Sequence, residues 1–232
     1  MIKSSLNHIA IIPDGNRRWA RQHKMKAWLG HKKGMALLND MTATSIEHGI
    51  QYITFWACSV DNLTKRSKIE VKYLVQYIYD ALIDPETQAT IDKYNIQVRV
   101  LGRWKEIIKR REVLQAIEDI QNRNRRNTGA FLTILLGYDG QDEMLTAINA
   151  AAEGGGRISP AKLRSALWTG HLPDVDLVIR TGGEPHWSAG FMMWLAANSQ
   201  FYFTDTLWPA FGIKHLQMAF KDYERRERRL GK

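Results

Sequence analysis

Apolar runs of strand length at Ile9–Ile12, Tyr52–Cys58, Ile96–Leu101, Ala130–Leu136 and Val175–Ile179 alternate with stretches of helical spacing, and this alternation limits the fold more than any other feature. A weaker run lies at Phe201–Thr204. The helical stretches cover Gly30–His48, Lys68–Lys93, Lys105–Asn124, Gln141–Glu153 and Leu216–Leu230. Strands that are apolar throughout have both faces covered, as in a parallel sheet with helices on either side. Helix punctuation agrees: Ser159-Pro160 sets a cap before a first-turn proline, and Gly154-Gly155-Gly156 ends the preceding helix. The expected fold is therefore α/β, with a central, mainly parallel sheet of about six strands surrounded by helices. With 232 residues and no break in composition or internal repeat, residues 1–232 are expected to form one domain.

Composition narrows the setting. The single cysteine, Cys58, excludes a disulfide framework and a four-cysteine zinc site, which suits a reducing compartment. Residues 1–6 lack the apolar stretch of a signal peptide, and no window reaches about 18 uninterrupted apolar residues. A cytoplasmic location is expected. The formal net charge of +9 points to anionic partners. Much of it lies in Arg99–Arg126 and Arg225–Arg229, which suit either a solvated helix face or peripheral contact with a membrane surface.

In parallel α/β sheets, ligands bind beyond the carboxyl ends of the strands. That rule selects Asp14-Gly15-Asn16, Ser59-Val60-Asp61-Asn62, Gly137-Tyr138-Asp139-Gly140 and Arg180-Thr181-Gly182-Gly183-Glu184 as the rim of one site. Any one of them alone is an ordinary turn with a helix cap. Two of these ends offer a carboxylate, backbone donors and arginines, the equipment for a magnesium-bound diphosphate. The chain has no G-x-G-x-x-G after a strand, no P-loop, no H-E-x-x-H and no G-x-S-x-G, so dinucleotide, P-loop, zincin and hydrolase-elbow readings lose their usual support. Cys58, at the end of an apolar strand, suits core packing better than nucleophilic catalysis.

The segments HIAIIPDGNRRWA (8–20), GHKKG (30–34), SVDN (59–62), DLVIRTGGE (176–184), FYFTDTLWPAF (201–211) and RRERRLG (225–231) resemble, in order, the motifs of the cis-prenyltransferases, the family that includes undecaprenyl diphosphate synthase. The resemblance implies a hydrophobic tunnel between sheet and helices, and a homodimer. It implies a magnesium-dependent condensation of isopentenyl diphosphate onto an allylic diphosphate in cis (Z) configuration. Asp14 then becomes the candidate magnesium ligand, and Gly15, Asn16 and Arg18 the allylic-diphosphate site. Arg17 is a further candidate contact, although its position is usually glycine and suits a solvent-facing side chain. His31 matches the histidine that assists the departing diphosphate. Ser59 and Asn62 carry over from the family's S-x-E-N. Arg180 and Ser188 match residues that hold isopentenyl diphosphate, and Arg229 resembles the arginine of a terminal R-x-G.

The chain departs from the family at several polar contacts. His186 replaces the second arginine of R-T-x-G-E-x-R-x-S, and a histidine is only partly charged near neutral pH and lacks the guanidinium fork. Counting from Trp194, the second magnesium-associated carboxylate falls at Gln200, a weaker neutral ligand. Asp61 and Leu63 replace glutamate and tryptophan, the following arginine is Lys65 or Arg66, and the family's N-Y-G-G-R reads Gly137-Tyr138-Asp139-Gly140-Gln141. The tunnel is expected along Trp19, Ala57, Tyr73, Tyr77, Leu82 and the Leu132–Leu136 face, with Ile134 and Leu136. Two alternatives stay open within the resemblance: a non-elongating relative that joins two allylic diphosphates, and a catalytically silent partner subunit. A nucleic-acid module is disfavoured, because most aromatics sit inside apolar runs and no nucleic-acid motif appears.

Overall fold

Every apolar run forms a strand: β1 (His8–Ile12), β2 (Tyr52–Cys58), β3 (Ile96–Leu101), β4 (Ala130–Leu136), β5 (Leu177–Arg180) and β6 (Gln200–Phe203). They make one sheet in the order β3-β4-β2-β1-β5-β6, with every neighbouring pair parallel. The expected "mainly parallel" sheet is thus wholly parallel. This computed structural model describes residues 6–153 and 155–226.

The helices are shorter and more numerous than the sequence spacing suggests. Gly30–His48 becomes α2 (Ala27–Met35) and α3 (Leu38–Glu47), and a helix that the spacing did not suggest, α1 (Asn16–Gln22), precedes them. After β2 come α4 (Val60–Thr64), α5 (Lys68–Ile83) and α6 (Pro85–Lys93). The break between α5 and α6 has a plain cause: Asp84 caps the Thr87 amide at 2.8 Å and Pro85 takes the first helical position. α7 (Trp104–Ile107) and α8 (Arg111–Arg123) follow β3, α9 (Gly140–Glu153) and α10 (Pro160–Ala166) follow β4, and α11 (Ile213–Arg225) covers the end of the described chain. Ser159 caps α10 through the Lys162 amide at 3.2 Å. Gly154 lies outside the described residues.

Alternation along the strands sorts the core. Ile9, Ile11, Ile53 and Phe55 face one side with Met41, Phe211, Leu216 and Phe220, while Ala10, Ile12 and Val178 face the other with Tyr138, Phe191 and Leu195. Each such Ile or Phe, buried in full, contributes about 1.5–3 kcal/mol. At the amino end of β1, His8 is fully buried; its Nδ1 donates to the Pro173 carbonyl at 2.9 Å and its Nε2 lies 2.9 Å from Thr54 Oγ1. Burial pushes this imidazole down to about 4, so it sits neutral in the core.

Candidate active site

β1 and β5 are neighbours, and the register Ile12↔Arg180 brings the two ends of the chain to one place. Arg180 Nη2 lies 3.2 Å from Asp14 Oδ2, although the two are 166 residues apart. Arg180 is only 4% exposed and is held from the other side, Nη1 donating to the His186 carbonyl at 2.9 Å and to Ser188 Oγ at 2.5 Å. Its Nε has no partner, which leaves one donor of a buried cation unspent. Asp14 is also fixed through its backbone: its carbonyl accepts from Thr181 Oγ1 at 2.7 Å and from the Trp208 amide at 2.9 Å.

Arg18, one helical turn after Asp14, reaches Asp14 and Glu184, both at 3.5 Å, and Glu184 is 3.7 Å from Arg180. Two arginines and two carboxylates thus share the strand ends. Gly15 precedes α1 in the left-handed region, φ 103°, and a Cβ there would meet Leu207 at 2.8 Å, so only glycine fits the turn. Asn16 donates from Nδ2 to the Pro13 carbonyl at 2.8 Å, while its Oδ1 is buried without a partner. Gly30 lets α2 press against α1, since a Cβ would lie 2.0 Å from the Asn16 carbonyl oxygen.

A second cluster gathers on Glu70 of α5, a buried carboxylate that the sequence reading missed. Arg66 Nη1 lies 3.0 Å from Glu70 Oε1, His31 Nε2 3.3 Å and Arg17 Nε 3.6 Å. Arg66 Nη1 also lies 3.1 Å from His31 Nε2; an arginine N–H can only donate and a carboxylate can only accept, so Nε2 accepts from Arg66 when unprotonated and donates to Glu70 when protonated. Burial, and next the Arg66 charge, push the His31 imidazole below its ordinary range despite Glu70. The signal for Glu70 was present as Ser67-x-x-Glu70, which the Ser67 cap to the Glu70 amide at 3.3 Å makes a helix start. Its i,i+4 spacing from Arg66 was the second hint.

Both clusters open into one cavity of about 650 Å³. Asp14, Gly15, Asn16, Arg17, Arg18, His31, Ser59, Asn62, Arg66, Arg180 and Ser188 all line it, as do Glu184 and Arg21. With Asp139 from the end of β4, which also lines the cavity, the structure brings together residues from four strand ends. Arg17 is exposed even so, as its unusual position suggests. Ser59 serves as the cap of α4, accepting from the Asn62 amide at 3.0 Å. Arg66, not Lys65, is the residue that lines the site; Lys65 pairs at 2.8 Å with Asp61, which is itself at the rim. Away from the rim the walls become apolar, through Phe55, Leu74, Ile78 and Ile134 to Ile91, Ile96, Val98 and Ile120. Ala57, Leu82 and Leu132 belong to this wall, as expected.

Several expected site residues lie elsewhere. Tyr73 and Tyr77 do not line the cavity; Tyr73 stacks on Trp28 at 4.8 Å and on Tyr77 at 6.1 Å, toward the outside of α5. The wall positions are Leu74 and Ile78, one residue on, which in a helix means a rotation of about 100°. Trp19 is also off the wall and stacks on His23 at 4.0 Å. Leu136 packs in the core with Cys58 and Trp104, just past the irregular register between Trp56 and Cys58 that turns the strand end. The His186 ring is not on the cavity wall but stands behind its rim, Nε2 3.0 Å from Ser188 Oγ, while the His186 carbonyl serves Arg180. Gln200 opens β6 and pairs with Leu177, so along parallel strands it sits three residues, roughly 10 Å, behind Arg180. Within the chain it does not share a site with Asp14. Arg229 lies outside the described residues. Cys58 is buried, and burial pushes its thiol up to about 12, which removes it as a nucleophile.

A buried network steadies the Ser188 side of the rim. Tyr138 OH donates to Glu143 Oε2 at 2.5 Å and accepts from the Met192 amide at 3.1 Å. Glu143 Oε1 in turn accepts from the Thr169 amide and hydroxyl at 2.7 and 2.8 Å. Tyr138, from the divergent Gly137–Gln141 segment, thus ties the end of β4 to the turn that carries Ser188.

The carboxylates at the cavity mouth are sparse. Among the described residues no group of three or more His, Cys, Asp or Glu side chains is placed to hold a metal. Asp14, 36% exposed on its side chain and at the cavity mouth, is a single reachable carboxylate. That fits an octahedral ion which takes one or two carboxylates and otherwise uses phosphate oxygens and water.

The comparisons with known proteins agree with this geometry. The family described as "Putative undecaprenyl diphosphate synthase" matches residues 12–231. The isoprenyl transferase of Neisseria meningitidis serogroup B is 37% identical over 226 residues, covering 97% of this chain and 89% of its own length. That of Bacillus anthracis is 37% identical over 231 residues, covering 97% and 87%. A crystal structure of lavandulyl diphosphate synthase from Lavandula x intermedia, in complex with dimethylallyl diphosphate, superposes with a TM-score of 0.90 at 30% identity, covering 97% of this chain and 98% of that one.

Proposed function

Since the chain belongs to the undecaprenyl diphosphate synthase family and is a prenyl-transferring enzyme, we propose that it condenses isopentenyl diphosphate onto an allylic diphosphate, with magnesium, forming a Z double bond at each addition. One observation carries the reading: Asp14 and Arg180 meet at 3.2 Å at the mouth of a cavity whose walls pass from arginine to isoleucine. A substrate with a charged head and an apolar tail matches both ends.

In that reaction the allylic carbon–oxygen bond breaks and diphosphate leaves. The allylic carbon bonds to the terminal methylene of isopentenyl diphosphate, and a proton is lost as the new double bond forms. Charge grows on the leaving oxygens, so the main work of the protein is to present donors there before the bond breaks. Arg18 and the Gly15-Asn16 turn are the candidates for the allylic head; Arg180, with its unspent Nε, and Ser188 for the second diphosphate. His31, kept neutral, and Arg66 face the same space and add hydrogen bonds to the departing group. Magnesium, held by Asp14, would neutralise diphosphate charge as a Lewis acid.

A second reading, the joining of two allylic diphosphates, is favoured by the likeness to a lavandulyl diphosphate synthase and by His186 standing where an arginine is usual. Ile91, Ile96 and Ile120 at the far end of the cavity favour elongation, because a short product has no use for that depth. Incubation with labelled isopentenyl diphosphate, farnesyl diphosphate and magnesium decides between them: elongated products are expected. Self-coupling of dimethylallyl diphosphate without elongation would reverse the choice.

Homodimer formation is proposed through the β6 edge, where Phe203 and Trp187 are 40% and 44% exposed. Peripheral membrane contact is proposed at the outer face of α2 and α5, where exposed Met25, Ile69 and Tyr73 stand among Lys24, Lys26, Lys68 and Lys72. Among the described residues no helix is long and apolar enough to cross a membrane.

A further inference from the structure

One wall of the apolar cavity is polar. Where α3 meets α6, Asn39 and Thr42 from one helix and Thr87 and Thr90 from the other all line the space, beside Ile91 and Leu82. Asn39 Nδ2 donates to Thr87 Oγ1 at 3.1 Å across the seam, and Thr87 Oγ1 donates to Asp84 Oδ2 at 3.1 Å. Thr42 and Thr90 differ. Neither hydroxyl has a hydrogen-bond partner among the described residues, and Thr42 is 3% exposed. Thr42 is thus an unpaired polar group set into a wall that is otherwise built for hydrocarbon. Asn39, Thr87 and Thr90 are half-buried, so this wall is also where the cavity approaches solvent.

We propose that the Thr42–Thr90 band limits how far a prenyl chain threads into the cavity, so that product length is set by polarity and not only by bulk. This rests on the prenyl-elongation reading. Each methylene added along the aliphatic wall gains from leaving water. A chain drawn across the band must strip water from hydroxyls that have no protein partner to replace it, and that cost offsets the gain. Elongation stalls where the two balance.

Thr→Val and Thr→Ser separate the two causes. Valine keeps the volume and removes the hydroxyl; serine keeps the hydroxyl and frees space. Because Thr42 and Thr90 make no side-chain hydrogen bond, Thr42→Val and Thr90→Val remove no contact from the fold. The probe is a series of n-alkyl monophosphates of increasing length, with affinity read from tryptophan fluorescence, since Trp56 and Trp208 line the cavity. In the unsubstituted protein, affinity should rise by about fourfold per methylene and then level off. In Thr42→Val/Thr90→Val the plateau should move to longer chains, and in Thr42→Ser it should stay. The product ladder from isopentenyl and farnesyl diphosphates should lengthen in the valine variant alone. An unmoved plateau with valine, or an equal shift with serine, overturns the proposal. Because alkyl binding needs no turnover, it tests the band even if no primer is elongated, an outcome that would count against the elongation reading instead.

Discussion

Glu70 offers the sharpest test of how the rim is held. The substitution Glu70→Gln keeps size and hydrogen-bonding shape and removes one charge that Arg66, His31 and Arg17 approach at 3.0, 3.3 and 3.6 Å. At an effective dielectric of about 20, a pair at 3.0 Å attracts by roughly 5–6 kcal/mol before desolvation is counted. Breaking one side of a buried pair typically costs about 3–5 kcal/mol. Arg66 keeps 19% of its side chain in contact with solvent, so water takes up part of the loss, and about 2–3 kcal/mol of stability is expected to go. Turnover should fall further than binding, because Arg66 and His31 remain present but lose their fixed aim. A 10- to 100-fold drop in kcat corresponds to about 1.4–2.7 kcal/mol of lost transition-state stabilisation. The His31 titration should also move further down, since Glu70 is among the groups that raise it against burial and Arg66. The assays are urea unfolding, steady-state kinetics over pH, and NMR titration of His31. A variant with unchanged kcat and an unchanged His31 titration would refute the assignment of Glu70 as a positioning residue.

Asp14→Ala should lower kcat by at least about 100-fold, because its side chain works on the diphosphate, and should also lower the unfolding midpoint, because buried Arg180 loses a carboxylate at 3.2 Å; circular dichroism melting beside the kinetics checks both halves. Stability should fall on acidification through His8. Its folded value near 4 lies below the unfolded 6.5, so the unfolded state binds the extra proton, and stability is full above about pH 6.5 and declines toward pH 4. The loss is about 3 kcal/mol, measurable by urea unfolding across that window as a slope weakened in a His8→Gln variant. Tyr77→Ala should leave product length unchanged, since the ring stands off the cavity wall, and product analysis by mass spectrometry reads this directly.

Most strands were legible because they are apolar along nearly their whole length, whereas β3, at a sheet edge, reads Ile-Gln-Val-Arg-Val-Leu and showed by alternation instead. So was the rim: strand-end clusters read as four separate turns converge once the strands are parallel. Helix phase was harder to read. α5 buries Leu74, Val75 and Ile78 but also carries Tyr73, Tyr77 and Tyr79, so apolarity does not say which stripe faces the cavity, and the true stripe lies one residue from the tyrosines. Gln200 was misplaced for another reason. Counting along a motif measures distance in the chain, whereas strand direction decides which end of the sheet a residue reaches. Glu70 escaped because Ser67-x-x-Glu70 and the spacing from Arg66 mark a helix start and a side-chain pair but say nothing about burial.

The sheet order has a consequence for synthesis. β1 is made first yet sits between β2 and β5, and Asp14 depends on Thr181, Arg180 and Trp208 for its anchoring. A nascent chain on the ribosome can dock β1 against β2 early, but one edge of β1 stays open until Arg180 has emerged from the exit tunnel. Translation therefore finishes most of the polypeptide before the diphosphate grip exists, and chaperones guarding an unpaired apolar strand would meet that intermediate first.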